Sequence, residues 1–131
     1  MRFNEYKERV ISIFNNAEGD PYLGINAVAL FDAMAEYLPK TDDAYTFTKS
    51  FYEEFKAILT SFKENGDANG IFNKIYNSLP DGMARKNFNM FLTVPNKTQQ
   101  AIVNMVHNQV FNDYIQFKRE EMNLNYDTVV S

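Results

Sequence analysis

Residues 42–63 read DDAYTFTKSFYEEFKAILTSFK. Within them Phe47, Phe51, Phe55, Ile58, Leu59 and Phe62 recur at steps of three and four. That repeat gathers side chains onto one stripe of an α-helix, whereas a strand would need alternation in twos. Lys49, Glu53, Lys56 and Glu64 sit largely off the stripe. Thr41, Asp42 and Asp43 stand where a helix start needs acceptors for its unpaired N–H groups and negative charge for its dipole. A helix with one greasy face must be covered, so the flanking segments decide the fold.

Those segments are helical as well. Residues 2–16 place Phe3, Tyr6, Val10, Ile13 and Phe14 on one face. NNAEGDP interrupts them, and Asp20-Pro21 then reads as an N-cap followed by proline at the first helical position. The segment 21–38, PYLGINAVALFDAMAEYL, is apolar without a break from Ala27 to Phe31, which marks it as the most buried helix. Its alanines let neighbours come close, and Pro39 stops it. Shorter helical segments follow at 70–78 and 81–93, broken by LPDG and VPN, and a long one runs over 97–122. FLTV at 91–94 is the one strand-like run, too isolated to build a sheet. The expected architecture is all-α: a compact bundle of five or six helices with short connections and a long C-terminal helix. Residues 1–122 form the helical domain and 123–131 a patternless tail.

Composition narrows function by exclusion. The 131 residues contain 12 Phe and 8 Tyr, so the core is expected to be aromatic. With no cysteine, a disulfide or thiolate zinc site is impossible. The first residues, MRFNEYKERVISIF, have charges throughout, unlike a signal peptide, and no window approaches a membrane span. A cytoplasmic protein without membrane partner is the expectation. Residues 1–70 hold 12 acids and 7 bases, a net −5; residues 71–131 hold 5 acids and 6 bases, a net +1. That is no concentrated basic face, so generic nucleic-acid binding is disfavoured. Sixteen asparagines, with abundant Lys, Ile, Phe and Tyr, are the usage of an AT-rich, phage-like or low-GC genome.

Three motifs invite chemistry. KENGDANGIFNKIY, residues 63–76, places Asn65, Asp67, Asn69, Gly70 and Asn73 at positions 1, 3, 5, 6 and 9 of a calcium loop. Position 12 is Tyr76, which cannot give two carboxylate oxygens, and Asp67 is the one carboxylate. A turn explains the stretch better, with Gly66 closing one helix and Asp67 or Asn69 capping the next. Asp32 and Glu36 share a helix face but lack the Glu-x-x-His partners of a di-metal bundle, and Glu36 has Lys40 four residues on. His107, the one histidine, has no identifiable nucleophile or carboxylate and reads as a locally hydrogen-bonded residue at the core edge. No catalytic residue, metal or cofactor is assigned.

The last helix says more. Gln100, Asn104, Asn108, Asn112 and Gln116 recur every four residues, a ridge that slants about 40° round the helix per step. Ile102, Val106, Val110 and Tyr114, flanked by Val103, Met105, Phe111, Ile115 and Phe117, make an apolar stripe too broad for one neighbour. Between Lys97 and Lys118 the one formal charge is Asp113. Asparagine as the genome's default polar residue would account for this. So would a partner-binding face, since charge is depleted at interface cores. The function expected is non-catalytic binding of another protein, as adaptor, inhibitor or assembly factor, with self-association as one version. The alternative is a small nucleic-acid-binding or regulatory module using Arg85, Lys86 and Lys97.

Overall fold

The computed structural model describes the backbone of residues 1–130 and the side chains of residues 1–123. Six helices follow in order: α1 Phe3–Asn15, α2 Pro21–Tyr37, α3 Ala44–Asn65, α4 Asn69–Ser78, α5 Met83–Leu92 and α6 Asn96–Val130. Among the described residues the one β feature is an isolated bridge between Arg2 and Asp43. The FLTV run belongs to the end of α5 and the turn after it. The expected tail over 123–131 falls almost wholly outside the described side chains; helical backbone continues to Val130.

The helix boundaries have local causes. Asp20 accepts the Tyr22 N–H at 2.9 Å, with Pro21 next. Asp43 accepts both the Thr46 N–H at 3.0 Å and the Thr46 hydroxyl at 2.7 Å, so α3 begins one residue later. The Thr46 hydroxyl bond, the largest influence, holds the Asp43 carboxyl below its ordinary pKa. At the other end Gly66 adopts φ +79°, and its N–H returns to the Phe62 carbonyl.

Rings fill the core. Phe31, Phe47, Phe51 and Phe55 form a run of neighbouring rings with centroids 4.4 to 6.1 Å apart. Phe62, Phe72, Phe88 and Phe91 form a second run under α4 and α5. Each fully buried phenylalanine contributes on the order of 2–3 kcal/mol of transfer free energy. Helix α2 sits among α1, α4, α5 and α6, as its unbroken apolar run requires. It meets α1 tightly at Gly24, where a Cβ would lie 2.5 Å from the Phe14 carbonyl oxygen. Helix α6 packs on both α3 and α2, which accounts for its broad apolar stripe.

Candidate functional site

The site is built on α6. Its Ile102, Val103, Val106, Val110, Tyr114 and Phe117 are buried. Asp113 shares that inward side: it lies seven residues after Val106 and three after Val110, the spacing of one helix face. The residue is 8 % exposed, and its carboxylate accepts three hydrogen bonds. Tyr6 Oη donates to Oδ2 at 2.8 Å, Gln109 Nε2 to Oδ2 at 3.0 Å, and Arg9 Nη2 to Oδ1 at 3.1 Å. Burial first, and then the charge of Asp113, push the Tyr6 hydroxyl far above a tyrosine's ordinary pKa.

Turning Asp113 inward changes the outer face. From Thr98 to Phe117 the solvent side of α6 carries no acidic or basic residue of formal charge. Gln100, Asn104, Asn108, Asn112 and Gln116 are all exposed, where the sequence pattern put them. Among the described residues, the first four make no side-chain hydrogen bond within the chain, and Gln116 reaches only Glu120 on its own helix at 3.2 Å. Half-buried Met105, Phe111 and Ile115 interleave with this row. The result is a strip of neutral donors and acceptors with apolar side chains set into it.

One flank of the strip is aromatic. His107 stacks on Phe111 at 5.6 Å and on Phe55 at 6.2 Å, both within 11° of parallel. Tyr52 extends the stack to Phe111 and Tyr114, and Lys56 Nζ lies 4.6 Å from the Tyr52 ring centroid. The histidine is half-buried at the core edge; among the described residues it makes ring stacks and no side-chain hydrogen bond, where a local hydrogen bond was expected. Asp32 pairs with Lys7 at 3.0 Å and Glu36 with Lys40 at 3.2 Å, so each carboxylate has its own cation. No hydrogen bond among the described residues joins Asp32, Glu36 and His107.

The calcium-loop register corresponds to two helix ends. Asn69 to Tyr76 lie inside α4, so those positions cannot wrap an ion. Ala68, and neither Asp67 nor Asn69, occupies the N-cap; Asp67 still serves by accepting the Asn69 N–H at 3.0 Å. Among the described residues no three His, Asp or Glu side chains gather as a metal site. Arg85 is paired with Asp81 at 2.8 Å and lies 4.5 Å from the Tyr76 ring centroid, while Lys86 and Lys97 are exposed.

Two features escaped the sequence. Gln99 is buried and donates to the Leu92 carbonyl at 3.2 Å, tying the start of α6 to the end of α5. A groove between α2 and α5, about 480 Å³, is lined by Tyr22, Ile25, Val28 and Met90 among others. Ile25 and Met90 are 63 % and 64 % exposed. Their signal was present: apolar residues standing off the buried stripe of their own helices. Among the described residues no helix is long and apolar enough to cross a membrane. Comparison with protein-family models, with curated proteins and with solved structures gives no match.

Proposed function

We propose that the protein is a non-catalytic binding domain, an adaptor, inhibitor or assembly factor, that engages another protein through the outer face of α6. The observation that carries this reading is the inward turn of Asp113, which leaves the exposed side of the helix from Thr98 to Phe117 without formal charge. Covering an ion with a partner costs far more than covering an amide, because amides regain their hydrogen bonds across the contact. Asparagine also opposes helix formation relative to Lys or Glu, so Asn104, Asn108 and Asn112 on a wet face carry a cost that solvation alone does not require.

The test is Asn108→Glu. The residue is exposed, so helix content by circular dichroism should not change. Affinity for a partner isolated from the host should fall at least tenfold. Unchanged affinity would remove α6 from the contact. Binding that weakens steeply with added salt and follows Lys86 and Lys97 would replace this reading with nucleic-acid binding.

A further inference from the structure

The groove between α2 and α5 lies apart from the outer face of α6 and differs from it in chemistry. Tyr22, Ile25 and Val28 of α2 and Met90 of α5 give it an apolar lining, and none of the residues around it bears a formal charge. The groove does not stand alone. Asn89 borders it and also borders a second hollow of about 400 Å³, which Tyr76, Asp81, Arg85 and Lys86 help to line. An apolar depression and a polar one therefore adjoin. On α5 itself Met83, Lys86 and Met90 follow at steps of three and four, and all three are exposed. One outer face of α5 thus presents an apolar side chain, a cation and another apolar side chain in turn.

We propose that these two depressions form a second docking surface, independent of α6, and that its occupant is an acidic segment of another protein. Apolar anchors of that segment fill the groove, and a carboxylate beside them meets Lys86.

Charge selects this occupant. Arg85 is already answered by Asp81 at 2.8 Å, so that pair adds little net charge. Lys86 makes no ion pair among the described residues and leaves the hollow positive. The surroundings in the sequence agree. From Ala68 to Asn112 there are four bases, Lys74, Arg85, Lys86 and Lys97, and one acid, Asp81, a net +3 within a chain of net −4. A positive rim on a negative protein draws an acidic segment to this place and turns a basic one away.

The apolar side chains select a protein segment over a free anion. A small anion at Lys86 would leave Ile25, Met83 and Met90 in water, whereas clustered exposed apolar groups with a polar rim mark protein contacts. Methionine suits such a surface because its flexible thioether repacks around different anchors. Asn87 and Asn89 make no side-chain hydrogen bond among the described residues. Each amide offers both a donor and an acceptor to the backbone of a bound segment.

Selection from a random-peptide display library on the immobilised wild-type chain tests this, followed by fluorescence anisotropy with the selected peptide. Enriched sequences should combine apolar residues with Asp or Glu and lack Lys and Arg. Ile25→Glu should weaken the peptide by about tenfold or more, with helix content unchanged because the residue is exposed. Lys86→Glu should weaken it as well, and a peptide whose acid is changed to lysine should bind that variant again. Such an exchange places the carboxylate at residue 86. Asn108→Glu should leave the peptide's affinity as it was, which separates this surface from α6. The proposal is overturned if no peptide is enriched, or if the enriched peptides are basic or uncharged. It is equally overturned if Ile25→Glu or Lys86→Glu leaves the affinity intact. Loss of the peptide on Asn108→Glu would move the contact to α6. Self-association of the wild type that Ile25→Glu disperses would make a second copy the occupant and overturn the foreign segment. None of the outcomes at Ile25 or Lys86 bears on the binding role given to α6, so the two readings stand or fall separately.

Discussion

Replacing Asp113 by alanine removes the acceptor that joins α1 to α6, and its effect can be worked from three bonds. Tyr6 is the expensive partner. Its residue is 0 % exposed, so the hydroxyl has no water to turn to, and a stranded buried donor costs about 1–3 kcal/mol. Arg9 is 45 % exposed along its side chain; solvent screens that pair, whose loss costs less than about 1 kcal/mol. Half-buried Gln109 can rehydrate, at a cost of about 0.5–1 kcal/mol. Asp113→Ala should therefore destabilise the fold by about 2–4 kcal/mol. Tyr6→Phe removes only the donor and leaves Asp113 with two partners, so about 1 kcal/mol is expected. In the double variant nothing is stranded, and it should be about 1–2 kcal/mol more stable than the two single losses added together. Urea unfolding followed by circular dichroism measures all four proteins. Additive losses, or an Asp113→Ala loss below about 1 kcal/mol, would refute the assignment of Tyr6 and Asp113 as one unit.

Two further outcomes follow from the fold. The raised pKa of Tyr6 means that its contribution is complete below the unfolded tyrosine's value near 10 and declines as pH rises above it. The stability difference between wild type and Tyr6→Phe should accordingly shrink in alkali, and a difference constant from neutral pH to well above 10 would contradict the buried bond. Gly24→Ala would ordinarily gain about 1 kcal/mol in a helix interior. Here the added Cβ meets a backbone carbonyl at 2.5 Å, so a loss of about 1–3 kcal/mol is expected as a lower urea midpoint, and a gain would show that α1 and α2 separate freely.

The helices were legible because each has a private signal: a stripe of rings in α3, an apolar run in α2, caps at Asp20 and Asp43, a left-handed glycine at Gly66. Local chemistry set those features, and local sequence showed them. The outward position of the amide row was legible for the same reason, since period alone fixes a helix face. Asp113 was seen as the one charge in its stretch, and its spacing from Val106 and Val110 already placed it inward. Its partner could not be read, because Tyr6 stands 107 residues away and nothing local links them. The same limit hid the seat of Gln99 under α5, which arises only when two helices meet; the groove at Ile25 and Met90 left a trace in two apolar residues off their helices' buried stripes, but which helices enclose it is again a matter of tertiary contact. At Ala68 the local rule itself misled: the residue between the two expected caps, Asp67 and Asn69, took the position, while Asp67 supplied the acceptor from one step earlier.

The bond between Tyr6 and Asp113 also orders events in time. It closes a span of 107 residues, so α1 must wait for nearly all of the chain before its hydroxyl finds an acceptor. A nascent chain that has not yet extruded α6 leaves one side of α3 bare, with Phe55 and Tyr52 open to solvent. Such an intermediate is adhesive, and the polypeptide is safest when synthesis of its last third outpaces encounter with its neighbours. Because the link forms late, weakening it should hasten unfolding more than it slows refolding.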